Sequence, residues 1–491
     1  MIDYQVISGS VVFDNCDNHL ISFSGSQLLP QTKIDPALLS SLQKDADVSV
    51  ADCAYGCQPF GRVTLIPQDH WFDTVTDELQ STLRPLLRKP YCSTLIIDCS
   101  QWDTENATHN AQISSLLIFL FNLDYQLSDL GFKQTTGQSV RIKHLVLWCL
   151  PQHQSTLDKL CREAKAISVG MVAARHLADL PSDQCTPEFI VNDIAQQLAT
   201  YPSLHYEILD EEDIKCQGLN LLHAVGKGAT NPPRLMVLHY EGCDHGPFST
   251  YVGKGITFDT GGLWLKGGDG MYTMKYDMCG AANVFGLLIA AAELQLPIRL
   301  IGILALAENM IGPNAMRPGD VVISHAGLSV EINNTDAEGR LILADAISYA
   351  GKQVLDGQKP QYIIDMATLT GAVVKALGYD LTGLWSQDHE LSQNLLQAGR
   401  DIRDEVWPLP LDARFAPQVE STVADVCNTP RNNAAISTSA AYFLRCFCPP
   451  EIPWAHLDIS GTALWREQGR SVASGRPIPL LMRHLLKNME K

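Results

Sequence analysis

From about residue 190 onward the chain alternates short, almost wholly apolar runs with longer stretches of helical pattern. Tyr251–Phe258, Ile298–Ala305 and Tyr362–Ala367 read as strands, with Val330–Asn333 as a shorter one. Ala281–Leu294 and Leu341–Lys352 read as helices between them. A strand with one wet face alternates apolar and polar side chains, whereas a strand covered by helices on both faces does not. The pattern predicts an α/β fold: a larger C-terminal α/β domain with a mostly parallel central sheet covered by helices. In sheets of this kind ligand sites form beyond the carboxyl ends of the strands, so chemistry is expected in the polar residues that terminate these runs.

The first part of the chain has a different texture. Leu95–Asp98 and His144–Leu150 read as buried strands around a helical Asn110–Gln126, without a dense cluster of catalytic-type residues. Gln152 to about Leu180 reads as one long helix, stopped by PSDQCTP at Pro181–Pro187. The 491 residues then divide into a smaller N-terminal α/β accessory domain at 1–155, a connecting helix at 156–180 and a larger α/β domain at 181–491.

Charge narrows the partners. Lys and Arg number 36 against 54 Asp and Glu, a formal net charge of −18. Proteins that coat nucleic acid or anionic lipid neutralise phosphates with basic patches, so both partners are disfavoured. The longest apolar runs, Ile113–Leu123 and Val284–Leu296, are too short to span a bilayer. No secretory signal opens the chain, and the fourteen cysteines form no zinc-finger spacing. These features fit a cytoplasmic protein with reduced thiols.

Three segments carry polar residues at strand ends. Val252–Ala282 (VGKGITFDTGGLWLKGGDGMYTMKYDMCGAA) places Lys254 inside a strand, Asp259 at its end, Lys266 shortly after and Asp277 ahead of a helix. Asn333–Ala346 (NNTDAEGRLILADA) places Asp336, Glu338 and Arg340 between a strand and a helix. Ile363–Ala372 (IIDMATLTGA) is a third strand end running into a small-residue turn. Taken singly, an acidic loop before a helix is a cap with solvated charge, and DTGG is a turn. Lysine inside an apolar strand is harder to explain, because lysine is almost never buried without a partner. Four converging carboxylates would repel one another unless cations lay among them. Hard oxygen donors suit Mg²⁺ or Mn²⁺, and Zn²⁺ also accepts them. Four carboxylates suffice to bridge two dications that activate a shared water. A lysine beside such cations can lose its proton and serve as a nitrogen ligand, leaving a second lysine and an arginine as fixed positive charges. HExxH, a phosphate-binding GxxxxGK[ST] and a GxSxG elbow are all absent.

These residues resemble the leucyl (cytosol) aminopeptidase family of two-metal exopeptidases. NTDAEGRL (Asn334–Leu341) matches the family's signature octapeptide in full. The resemblance extends through Val252–Met278, ENMIGPNAMRPGDV, DMATLTGA and PWAHLDISGTA, covering most of Pro181–Lys491. By that resemblance the metal ligands are Lys254, Asp259, Asp277, Asp336 and Glu338, holding two divalent ions (Mn²⁺ or Zn²⁺, with Mg²⁺ a further candidate). Asp259 and Glu338 would bridge them. Lys266 and Arg340 would be the catalytic side chains: Lys266 would polarise the scissile carbonyl, and Arg340 would hold a bicarbonate acting as general base. Met274, Asn334, Thr368, Leu369 and Gly371 would line the substrate and bicarbonate sites. The implied reaction removes the first residue of a peptide with a free N-terminus. Family members assemble as homohexamers.

Departures from the family pattern are few. Thr260 replaces a usual serine, Cys279 a usual glycine, and Trp264 a small polar residue. Asn428–Ser439 (NTPRNNAAISTS) lacks the usual Gly-rich run with arginine, which bears on the pocket rim. His456 and Asp458 are expected as a buried hydrogen-bonded pair, and Trp148 and Trp454 as core. A non-catalytic or nucleic-acid-binding protein on the same scaffold is the alternative, weakened by the intact ligand set and the acidic charge. A two-metal phosphatase fits less well, because Lys254 and NTDAEGRL point to the peptidase.

Overall fold

The apolar runs form the middle of an eight-stranded sheet, and their covered faces explain their composition. The computed structural model describes residues 2–8, 18–22, 51–53, 62–65, 94–99, 102–103, 105–123, 125–132, 142–430, 432, 434–467 and 470–490. The chain forms two compact units, Met1–Ser168 with Asp401–Arg403, and Val169–Arg400 with Asp404–Lys491.

The first unit holds a six-stranded sheet of β1 (Asp3–Ser8), β2 (Asn18–Ser22), β3 (Ala51–Cys53), β4 (Arg62–Leu65), β5 (Thr94–Asp98) and β6 (His144–Cys149), in the order β1-β6-β5-β2-β4-β3. All pairs are parallel except β3 with β4. The helix Ala107–Asn122 starts where Asn106 accepts hydrogen bonds from the Thr108 and His109 amides. Trp148 is half-buried rather than core, because it alternates with the fully buried Leu147 and Cys149 along β6. A 26-residue helix, Gln154–Asp179, follows.

The second unit contains the large sheet: β7 (Leu204–Leu209), β8 (Arg234–Glu241), β9 (Phe248–Asp259), β10 (Arg299–Asn309), β13 (Ile363–Ala367), β14 (Thr382–Ser386), β15 (Val406–Pro408) and β17 (Trp454–Asp458). Their order is β15-β14-β17-β13-β9-β10-β8-β7. The centre, β17-β13-β9-β10, is parallel throughout. β14 runs antiparallel to β17 on one side and β8 antiparallel to β10 on the other, with β7 in turn antiparallel to β8. A small sheet joins β11 (Val321–Ile323), β12 (Ser329–Glu331) and β16 (Val426–Cys427), with β12 and β16 parallel. Among the described residues no helix is long and apolar enough to cross a membrane.

Every residue of β10 is buried, as are all but one of β9. Strand alternation assigns the two faces. Val252, Lys254 and Ile256 share the side of the helix Gly339–Ala350, while Gly253 and Gly255 share the side of the helix Cys279–Glu293. A Cβ on Gly253 would come within 2.5 Å of the Ala281 Cα. The glycines that bracket Lys254 are thus needed for close helix–strand packing, not for phosphate binding. Asp345, on the Gly339–Ala350 helix, accepts amide hydrogen bonds from Leu221, Leu222 and His325 and fixes that helix against its neighbours.

His456 does not pair with Asp458. Its Nδ1 lies 2.6 Å from Asp365 Oδ1 on the adjacent strand β13, and Trp454 Nε1 donates to Asp365 Oδ2 at 2.8 Å. The parallel register places Asp365 directly opposite His456. Trp454 is core, as expected. Burial works against charge on His456, but the Asp365 carboxylate outweighs it and raises the imidazole pKa. A raised folded-state value means that this contribution is fully present below the unfolded value of about 6.5 and is lost as pH rises through the folded one. Asp365→Asn should therefore destabilise the domain by about 3–5 kcal/mol at pH 6 and flatten the pH dependence of its unfolding above that point. Chemical unfolding of both forms across pH 5–9 measures both effects.

Candidate active site

The site grows from β9. Lys254 sits mid-strand and is 3% exposed. Its Nζ reaches 2.8 Å from Asp277 Oδ1, 3.1 Å from Glu338 Oε1, and donates to the Thr368 carbonyl at 2.8 Å. One buried ammonium thus ties together three segments far apart in sequence. The room for it comes from Gly339, where a Cβ would stand 2.4 Å from Lys254 Cε.

Asp259 ends β9 opposite Asn309, the last residue of β10. Its Oδ1 accepts from Asn309 Nδ2 and from the Gly261 amide, both at 2.8 Å. Its Oδ2 faces Lys266 Nζ at 2.7 Å, and the same ammonium contacts Asp336 Oδ1. Lys266 is turned back to this position by its own amide, which donates to the Thr260 carbonyl at 2.9 Å. Carboxylate oxygens of Asp259, Asp336 and Glu338 lie within 4.8 Å of one another. Asp277 is held by the Thr368 hydroxyl at 2.8 Å as well as by Lys254. Asp277 Oδ2 and Glu338 Oε2 are buried without a hydrogen-bond partner.

Four carboxylates therefore face two ammonium groups, and the pKa shifts register the imbalance. Burial pushes Asp277 well above the usual carboxylate range and Asp259 to about 6, with Glu338 adding to both; burial likewise raises Asp336. Glu338 is the exception: burial opposes its charge, but Lys254 and Lys266 hold it below its ordinary value. Both lysines are pushed down by burial and pulled above their usual value by the surrounding carboxylates. The donor set and the two unpartnered buried oxygens fit divalent cations, which would balance the excess negative charge.

The remaining expected residues lie on the chain segments that supply the cluster or just beyond β13. Arg340 is the second residue of the Gly339–Ala350 helix; it is buried, and its Nη1 donates to the Asn428 carbonyl at 2.7 Å while Nε has no partner. Burial lowers its pKa to about 10, which leaves it charged at neutral pH. Asn334 does not point away as a free group, because its Oδ1 accepts the Asp336 amide at 2.7 Å and shapes the acidic loop. Met274 is half-buried in the turn leading to Asp277. Thr368 and Leu369 are half-buried beyond β13, and Gly371 opens the next helix. Asp458 holds this turn, accepting from Thr370 Oγ1 at 2.6 Å and from the Leu369 amide at 3.3 Å.

The departures have separate explanations. Thr260 donates its hydroxyl to the Asn309 carbonyl at 2.8 Å. Cys279 is buried at a helix start, where burial pushes its thiol well above the usual range. Trp264 is exposed with Leu263 and Leu265, on the loop that carries Lys266. Within 428–439, residues 431 and 433 lie outside the described residues. Asn428, the first of that segment, was not expected at the site, yet it hydrogen-bonds the acidic loop directly.

Residues 172–482 match the family described as the cytosol aminopeptidase family, catalytic domain. The chain belongs to this family of peptidases. It is 45% identical over 358 residues to a probable cytosol aminopeptidase of Azotobacter vinelandii, covering 72% of this chain and 70% of the relative. It is 43% identical over 359 residues to the cytosol aminopeptidase of Pseudomonas aeruginosa, covering 72% and 71%. The bottromycin maturation enzyme BotP in complex with Mn has a similar structure, with a TM-score of 0.79 at 26% identity over 97% of this chain and all of that one.

The contact at Gly339 gives a direct test of the geometry. Gly339→Ala should leave the fold intact, since the displaced atoms end a flexible side chain, but push Lys254 out of its pocket. Peptidase activity should fall about 10²-fold and the melting temperature should drop, because Asp277 and Glu338 lose their buried ammonium partner; steady-state kinetics and calorimetry on one preparation check both.

Proposed function

We propose that the protein is a metal-dependent aminopeptidase that removes the first residue of peptides with a free N-terminus. The observation that carries this reading is the buried cluster of Asp259, Asp277, Asp336 and Glu338 around Lys254, with oxygens of Asp277 and Glu338 unpartnered. These five residues would hold two divalent ions, Lys254 after giving up its proton. Mn²⁺ is favoured by the structural relative that carries it, with Zn²⁺ and Mg²⁺ as alternatives. When bound, the ions would supply Lewis-acid activation of a shared water and of the scissile carbonyl.

The chain's own groups do the rest. Lys266 keeps its proton at neutral pH and stands at the mouth of the cluster, placed to donate to an oxygen that gains charge as the peptide bond is attacked. Arg340 offers a charged, partly unsatisfied guanidinium in a buried setting, which suits a small planar anion such as bicarbonate acting as general base. Thr368 orients Asp277 through its hydroxyl and Lys254 through its carbonyl. Met274, Asn334, Leu369 and Gly371 are assigned to the walls of the substrate and bicarbonate sites. The chemistry is assigned to the domain 181–491, with 1–155 accessory and 156–180 connecting. A cytoplasmic homohexamer is the assembly expected from the family.

Two measurements test the reading. After chelation, activity on aminoacyl amides should return with Mn²⁺, Zn²⁺ or Mg²⁺, and N-acetylated peptides should not be cleaved; equal cleavage of both would sink the free-amine requirement. Lys266→Ala should lower kcat about 10²–10³-fold while metal content by mass spectrometry stays at the parental level. Loss of metal instead would make Lys266 a structural counter-ion of the carboxylates rather than an oxyanion donor.

A further inference from the structure

We infer that Asn428 is a positioning residue for the catalytic loop, holding Asp336 and Glu338 in place and steering Arg340, across some ninety residues of sequence. The inference rests on the functional reading above.

The parallel pairing of β12 and β16 sets Glu331 beside Cys427, and the Asn428 amide donates to the Glu331 carbonyl at 3.0 Å. The two chains then leave the small sheet side by side, one into the acidic loop and the other into Asn428. The side chain of Asn428 is fully buried. Its Oδ1 accepts the Asn333 amide at 2.8 Å and the Asn334 amide at 3.3 Å. Its Nδ2 donates to the Asn334 carbonyl at 2.7 Å and the Ala337 carbonyl at 3.3 Å. Both lone pairs and both hydrogens of the amide are thereby used, all on residues 333–337. Its own carbonyl accepts Arg340 Nη1 at 2.7 Å.

This pattern does more than fill space. A loop that leaves a strand and reaches a helix within seven residues has no ladder of its own, and its backbone groups must be satisfied elsewhere. Asn428 supplies that substitute ladder from outside. The loop carries two of the four carboxylates, and the Asn334 carboxamide that binds the Asp336 amide lies on the same stretch. The contact with the Asn428 carbonyl engages Arg340 Nη1 and leaves the buried Nε without a partner. No other amino acid combines two donors and two acceptors at this reach: aspartate loses the donors, and glutamine overshoots.

The test uses Mn²⁺ as the probe. Asn428→Asp and Asn428→Ala are purified, chelated and titrated with Mn²⁺ alone, beside Asp336→Asn. Both Asn428 variants should lose about 10–100-fold in Mn²⁺ affinity and in kcat, while KM for an aminoacyl amide changes by less than about twofold. Parental Mn²⁺ affinity and kcat in a folded Asn428 variant, with both lost in Asp336→Asn, would overturn the positioning role and leave the metal reading standing. Parental behaviour of Asp336→Asn would overturn the metal reading itself. Hydrogen exchange in the unaltered holoenzyme needs no variant: the Asn333 and Asn334 amides should be protected like those of β12, and free exchange at both would overturn the inference even if neither variant folds.

Discussion

A lysine buried in the central strand of a parallel sheet is the constraint on which this structure depends. Lys254 has no access to water, so its ammonium must be met by protein oxygens, and the fold delivers them from three directions. Asp277 comes from the turn before one covering helix, Glu338 from the start of the other, and the Thr368 carbonyl from the end of the neighbouring strand. Each of these must arrive with its backbone already fixed, because a buried charge with a missing partner is far more costly than one never buried. The glycines around the lysine follow from the same need. Gly253 lets one helix lie close on the strand, and Gly339 clears the path of the side chain on the other face.

The excess of carboxylates over ammonium groups is the second half of that constraint. Asp259 and Asp336 share Lys266 as Asp277 and Glu338 share Lys254. The cluster is nevertheless short of positive charge, which is the electrostatic form of an affinity for dications. Among the described residues, no histidine joins these contacts. The buried histidine of the region, His456, is bound to Asp365 within the sheet and belongs to the core.

Much of this was legible in the sequence because the signals were local. Continuous apolar runs marked the central strands, and the interrupting Lys254 marked where the buried carboxylates gather. NTDAEGRL tied the acidic loop to a known family. What escaped notice was set by pairing between distant segments. His456 and Asp458 lie two residues apart and invited a mutual bond, but β13 places Asp365 opposite the histidine and leaves Asp458 to the Leu369–Thr370 turn. Asn428 gave no local signal either, because its partners are set by the parallel register of β12 and β16. In the first unit, β5 and β6 could be read directly from their apolar runs, whereas β3 and β4 have only three and four residues and β2 (NHLIS) mixes polar with apolar side chains.

The order in which the small sheet draws on the chain has a consequence for synthesis. Its strands come from 321–331 and 426–427, so it closes only after nearly nine-tenths of the chain has been made. A nascent chain that has emerged as far as residue 400 already contains all four carboxylates, both lysines and Arg340. It still lacks the carbonyl that receives the arginine and the amide that clasps the acidic loop. Until Asn428 is made, the 333–337 loop lacks the backbone partners that its carboxamide supplies.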